Sequence, residues 1–155
     1  MSDADYFTKH YKYSNGAWVI VSILPYELRQ GDAVVLDGEI HILGGTTGSD
    51  GRTNPGRYHY KYSNGAWVNG GTLPYEFYYG SAVVLDGEIH ILGGSANRSA
   101  HYKYSNGAWV NVGKLPYELT QGDAVVLDGE IHVLGGSANS SLYFVYNKKI
   151  FIIRR

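Results

Sequence analysis

Cysteine is absent from this chain of 155 residues. That excludes disulfides and thiolate metal sites and leaves the redox compartment open. An excess of either charge is missing too. Thirteen basic residues face fourteen acidic ones, a net charge of −1, so no strong field draws the chain to nucleic acid or to an acidic membrane. No apolar run approaches the length of a membrane span. The first residues, MSDADYFTKHYKYSNGAWVI, lack the basic start and apolar run of a secretory signal. Cytoplasmic residence is therefore the default expectation. Proline is scarce, with four copies, and no segment carries a helical period long enough to matter. Without crossover helices a parallel sheet cannot be built, so the sheets must be antiparallel.

Glycine and tyrosine are plentiful, with 21 and 15 copies, a composition suited to short strands and tight turns. They fall in a repeat. AVVLDGEIHILGG occupies positions 33–45 and 82–94, and returns at 124–136 with Val133 in place of isoleucine. YKYSNGAWV occupies 11–19, 60–68 and 102–110. Trp18 and Leu36, Trp67 and Leu85, and Trp109 and Leu127 are each 18 positions apart. A repeat this regular decides the architecture.

One period reads as four strands: AVVL, EIHIL, YKY and AWV. Asp37-Gly38 and Asn15-Gly16 are two-residue hairpin turns, because these residues accept the positive φ of a type I′ turn. AVVL is apolar on consecutive positions, so both of its faces must be covered. A four-stranded meander cannot do that alone. Meanders stacked around an axis can, and that is a β-propeller.

The double glycine after an apolar strand, then a tyrosine, then a tryptophan, resembles the kelch-repeat β-propeller family. The marks are Gly44-Gly45, Tyr60 and Trp67, then Gly93-Gly94, Tyr102 and Trp109. Tyr11 and Trp18 open the series without a preceding double glycine. The resemblance covers about residues 6–136. It implies four-stranded blades with AVVL innermost and AWV outermost, in rings usually of six or seven blades.

This chain holds roughly three. It reads as one kelch-repeat domain over residues 1–155: an outer strand pair at 6–22, blades at 32–69 and 81–112, an inner pair at 123–136, and divergent C-terminal strands at 142–155. Three unclosed blades leave two apolar faces, and exposed faces of that size seek a partner. The expectation is a homodimer forming a six-bladed ring, in which the N-terminal pair of one chain completes the inner pair of the other. One alternative lets residues 142–155 complete their own blade. Another makes the chain a piece of a longer propeller.

Strand direction places the loops after Gly-Gly and Leu-Pro on one rim, where the copies differ. Asp32, Ser81 and Asp123 are equivalent there, with Arg29, Gln30, Tyr78, Tyr79, Thr120 and Gln121 around them. This constellation suits a cation, an amine or a basic side chain; equally, the aspartates can cap their own loops. The loop at 46–58 is seven residues longer than its counterparts, and such loops often carry recognition. Arg52 and Arg57 within it suit an acidic partner, though the loop also reads as a tolerated insertion, since added length costs little; Arg98 in the next copy joins the partner-binding set of the variable rim. No phosphate-loop motif is present. His41, His90 and His132 recur at one position, too far apart to converge on one metal ion. They and the outer-strand residues His10, His59 and His101 are expected to pack, as are Trp18, Trp67 and Trp109 between blades.

No catalytic group, metal or cofactor is expected. The functional expectation is non-catalytic recognition of a protein or peptide through the variable rim. Carbohydrate binding or modification, and a purely structural repeat module, are the alternatives.

Overall fold

The computed structural model describes residues 7–48, 50, 52–136, 143–146 and 151–154. The strands are β1 (Lys9–Ser14), β2 (Ala17–Ile23), β3 (Asp32–Leu36), β4 (Glu39–Leu43), β5 (Tyr58–Ser63), β6 (Ala66–Thr72) and β7 (Ser81–Leu85). They continue as β8 (Glu88–Leu92), β9 (Ala100–Ser105), β10 (Ala108–Lys114), β11 (Asp123–Leu127), β12 (Glu130–Leu134), β13 (Tyr143–Tyr146) and β14 (Phe151–Arg154). β3–β6, β7–β10 and β11–β14 each form a four-stranded antiparallel sheet in chain order, and β1–β2 form a separate hairpin. No α-helix occurs among the described residues. The fold is all-β, with propeller-like blades.

The turns obey their chemistry. Asn15, Asn64, Asn106, Asp37, Asp86 and Asp128 all take φ between 50° and 53°, each followed by a glycine of positive φ. That pair of left-handed residues matches the twist of the flanking strands. β7 packs against both β3 and β11, so the AVVL strands stand side by side at the inner edge.

The first two double glycines each seat the next blade. Gly45 donates its N–H to the carbonyl of Phe77 at 2.6 Å, and Gly94 donates to that of Leu119 at 2.9 Å. A Cβ on Gly44 would stand 2.0 Å from the Phe77 oxygen, and one on Gly93 2.4 Å from the Leu119 oxygen. At Gly135 a Cβ would meet nothing within 4 Å, because no further blade follows it among the described residues. Tyrosines of the Leu-Pro-Tyr loops complete the seat. The hydroxyls of Tyr26, Tyr75 and Tyr117 donate to the carbonyls of Gly44, Gly93 and Gly135 at 2.6–2.7 Å. Burial pushes all three phenols up in pKa.

Cores form between blades. Leu43, Leu73, Tyr75, Phe77, Ala82, Ile89 and Ile91 cluster between the first and second. Val83, Leu85, Leu115, Leu119, Ile131 and Val133 cluster between the second and third. Inside the sheets, His41 pairs with His59 and His90 with His101, ring nitrogens 2.8 Å apart. Burial lowers all four, to about 4 for His59, His90 and His101, so the pairs are neutral near pH 7.

β13 pairs with β12, and β14 with β13, which is the alternative in which C-terminal strands take the edge of β12 within the chain. One expectation is corrected. Trp18 does not pack between blades. It is 69% exposed, because among the described residues no sheet precedes β1–β2 to meet it, as His10 meets Trp67 and His59 meets Trp109.

Two alanine substitutions separate the blade seat from backbone strain. Gly135→Ala should lose only the left-handed preference, about 1–2 kcal/mol. Gly44→Ala must also move the Phe77 carbonyl, so its urea midpoint should fall well below that of Gly135→Ala. Equal midpoints would remove the seat from the account.

Candidate functional site

The loops that lead into the inner strands, each ending in a glycine, build the candidate site. Gln30, Tyr79 and Gln121 take φ of 59–60°, a left-handed conformation unusual for such side chains. Their backbones are strung together across the blades. Tyr79 N–H donates to the Gln30 carbonyl at 2.9 Å, and Gln121 N–H donates to the Tyr79 carbonyl at 3.0 Å. These residues and the glycines that follow them line a depression of about 390 Å³. Beside it lies a second cavity of about 340 Å³, lined by Arg52, Tyr78, Tyr79, Ser95, Arg98, Thr120 and Gln121. Tyr79 and Gln121 belong to both, so the two form one continuous concave surface.

The expected site residues divide by environment. Arg52, Tyr78, Tyr79, Arg98, Thr120 and Gln121 meet at the second cavity, and Gln30 joins them through the first. Arg98 and Glu118 lie 3.6 Å apart with both side chains more than half exposed, a loose pair that a ligand carboxylate can replace at little cost.

Arg29 is a correction. It is buried at 7% exposure, bonds Glu27 and the Thr47 carbonyl, and lies under Phe7, 3.9 Å from that ring's centre. It anchors its loop instead of facing a partner. Arg57 is exposed but lines a different cleft, with Tyr58, His59 and Asn69.

Asp32, Ser81 and Asp123 serve the inner edge. Asp32 accepts from Ala33 N–H at 2.7 Å and, across the junction, from Ala82 N–H at 2.8 Å. Ser81 Oγ accepts from Ala124 N–H at 3.1 Å and lies 3.4 Å from Asp123 Oδ1. Burial raises the Asp32 carboxyl, opposed by those two N–H bonds. Both oxygens of Asp32 are thus committed to backbone, and the residue laces two blades together. Among the described residues no group of three or more histidines and carboxylates is placed to hold a metal ion. No helix of the described residues is long and apolar enough to cross a membrane.

The left-handed run around the mouth went unread in the sequence. Its signal was the invariant glycine after Gln30, Tyr79 and Gln121, which follows residues of quite different chemistry. Asp32→Ala should cost about 1–3 kcal/mol, the penalty of leaving the buried Ala82 N–H unpaired. Denaturant unfolding measures it, and an unchanged midpoint would mean the lacing bond contributes nothing.

No family model matches the chain, and no curated protein matches it. Among solved structures it is similar to that of YjhT, with a TM-score of 0.80 at 15% identity. The likeness covers 96% of this chain and 59% of the YjhT chain. The chain therefore spans less than two thirds of that protein, and at this identity the likeness establishes the fold alone.

Proposed function

We propose that the chain is a non-catalytic binding scaffold of kelch type that recognises a protein or peptide through its variable rim, at an acidic side chain. The cavity lined by Arg52, Tyr78, Tyr79, Arg98 and Gln121 carries this reading. Arg52 comes from the seven-residue insertion, and Tyr78-Tyr79 replace the Arg29-Gln30 and Thr120-Gln121 of the other copies. The differences between otherwise repeated segments thus gather at one surface. Two guanidinium groups there suit a carboxylate, and the tyrosines supply rigid contact area and hydroxyl donors. No cofactor enters this reading.

Binding of labelled oligo-glutamate and oligo-serine peptides tests it. Arg52→Ala and Arg98→Ala should each weaken oligo-glutamate binding roughly tenfold, the value of one charge-assisted hydrogen bond. Equal binding of both peptides would reject acidic recognition. Binding of neutral oligosaccharides instead, lost with Tyr78→Ala, would move the reading to carbohydrate.

A second copy of the chain is the other partner in this proposal. β3 leaves Ala33 and Val35 exposed, whereas β11 leaves Val125 and Leu127 exposed. Their equivalents in the middle blade are Ala82 and Val84 toward the first blade, and Val83 and Leu85 toward the third. The two open faces therefore carry the same chemistry as faces that already bury each other within the chain. β1 and β13 are rivals for the edge of β12. In the finished blades this edge pairs His41 with His59 and Glu39 with Lys61, or His90 with His101 and Glu88 with Lys103. β12 carries His132 and Glu130 at these positions. β1 carries His10 and Lys12 at the matching positions, where β13 carries Tyr143 and Val145. A partner's β1 thus brings the residue types this edge takes elsewhere. Sedimentation should find that removing residues 142–155 preserves a dimer and removing residues 1–22 abolishes it. The reverse pattern would reject strand exchange.

A further inference from the structure

Two junctions of this molecule repeat one aromatic arrangement. His10 lies edge-on to Tyr62 at 5.1 Å and to Trp67 at 5.7 Å. One repeat later, His59 lies edge-on to Tyr104 at 5.1 Å and to Trp109 at 5.7 Å. The interplanar angles agree as well, 88° and 65° against 86° and 66°.

At the first junction a hydroxyl joins the rings. Trp67 Nε1 donates to Ser22 Oγ at 2.9 Å, and that oxygen lies 2.8 Å from His10 Nδ1. Ser22 stands opposite His10 at a β-bulge, and Gly71 stands opposite His59 at the same bulge one repeat later. Glycine has no hydroxyl to give. Among the described residues, His59 Nδ1 and Trp109 Nε1 are both buried without a hydrogen-bond partner, although the His59 side chain has no exposure at all. A Cβ on Gly71 would meet only His59 Nδ1, at 3.9 Å. Gly71 thus leaves the position beside His59 Nδ1 without a side chain, and buried polar atoms such as His59 Nδ1 and Trp109 Nε1 are nearly always bonded. Gly71 and His59, with Arg57, Tyr58, Asn69 and Thr72, line a cleft of about 230 Å³.

We propose that this cleft binds a hydroxyl group, whose oxygen takes the position that Ser22 Oγ holds at the first junction, accepting from Trp109 Nε1 and pairing with His59 Nδ1. A hydroxyl fits because it can accept from the indole N–H and still pair with the imidazole whichever nitrogen carries the proton. The His41 bond occupies the other nitrogen of His59 at 2.8 Å, so Nδ1 is the face left for a ligand. Bulk water and a small alcohol share this chemistry, and the cleft admits either. The site shares no lining residue with the cavity of Tyr78 and Arg98 and does not depend on what that cavity binds.

High-resolution crystal structures of the full chain, grown without alcohols and then soaked in ethylene glycol, test it. The expected result is an oxygen within hydrogen-bond distance of both Trp109 Nε1 and His59 Nδ1. A water in both crystals makes water the source, and a glycol oxygen after soaking makes the cleft an alcohol site; each supports the proposal. The Ser22→Gly variant should gain a second such oxygen, between Trp67 Nε1 and His10 Nδ1. Density with no oxygen at Trp109, or an oxygen that touches only one of the two atoms, overturns it.

Discussion

The contact between a double glycine and the loop of the following blade governs this structure. The Phe77 and Leu119 carbonyls sit where side chains on Gly44 and Gly93 would have to be. Only glycine admits that approach and accepts the left-handed backbone it requires. The contact sets the spacing between sheets, and the spacing lets the alternating apolar residues of neighbouring sheets meet. Burial of those residues supplies most of the driving force, but the carbonyl seat decides where each sheet must stand.

Polar bonds then specify the register that apolar packing leaves loose. Asp32 and Ser81 reach across from one inner strand to the next, and the tyrosine hydroxyls lash each approach loop to its own glycine carbonyl. Because such buried bonds are costly to leave unmade, a sheet displaced by one residue would lose several at once. The same lacing draws Gln30, Tyr79 and Gln121 into a left-handed string across the blades. A rigid frame that holds its variable loops in unusual backbone conformations is a suitable support for a recognition surface.

The candidate surface was legible in part. The positions where the copies differ, Tyr78-Tyr79 and the Arg52 loop, lie together as the strand directions implied. Arg29 misled, because a charged residue on a variable loop reads as exposed, yet the neighbouring Phe7 and Glu27 fold over it. The aspartates at the inner strands looked like a ligand ring. Their bonding to backbone across the junction depends on where the neighbouring sheet stands, which no local pattern records.

The repeat by itself determined the strands, the hairpin turns, the order of strands in each sheet and the need to cover both faces of AVVL, because these follow from local backbone preference and period. Which copy of AVVL is covered was settled by tertiary structure alone. Val83 and Leu85 of the middle blade are buried at 7% and 3%, whereas their identical counterparts Val125 and Leu127 are exposed at 45% and 57%. Identical residues meet opposite fates here because burial belongs to the neighbour as much as to the strand, and among the described residues only the middle sheet has a four-stranded neighbour on each side.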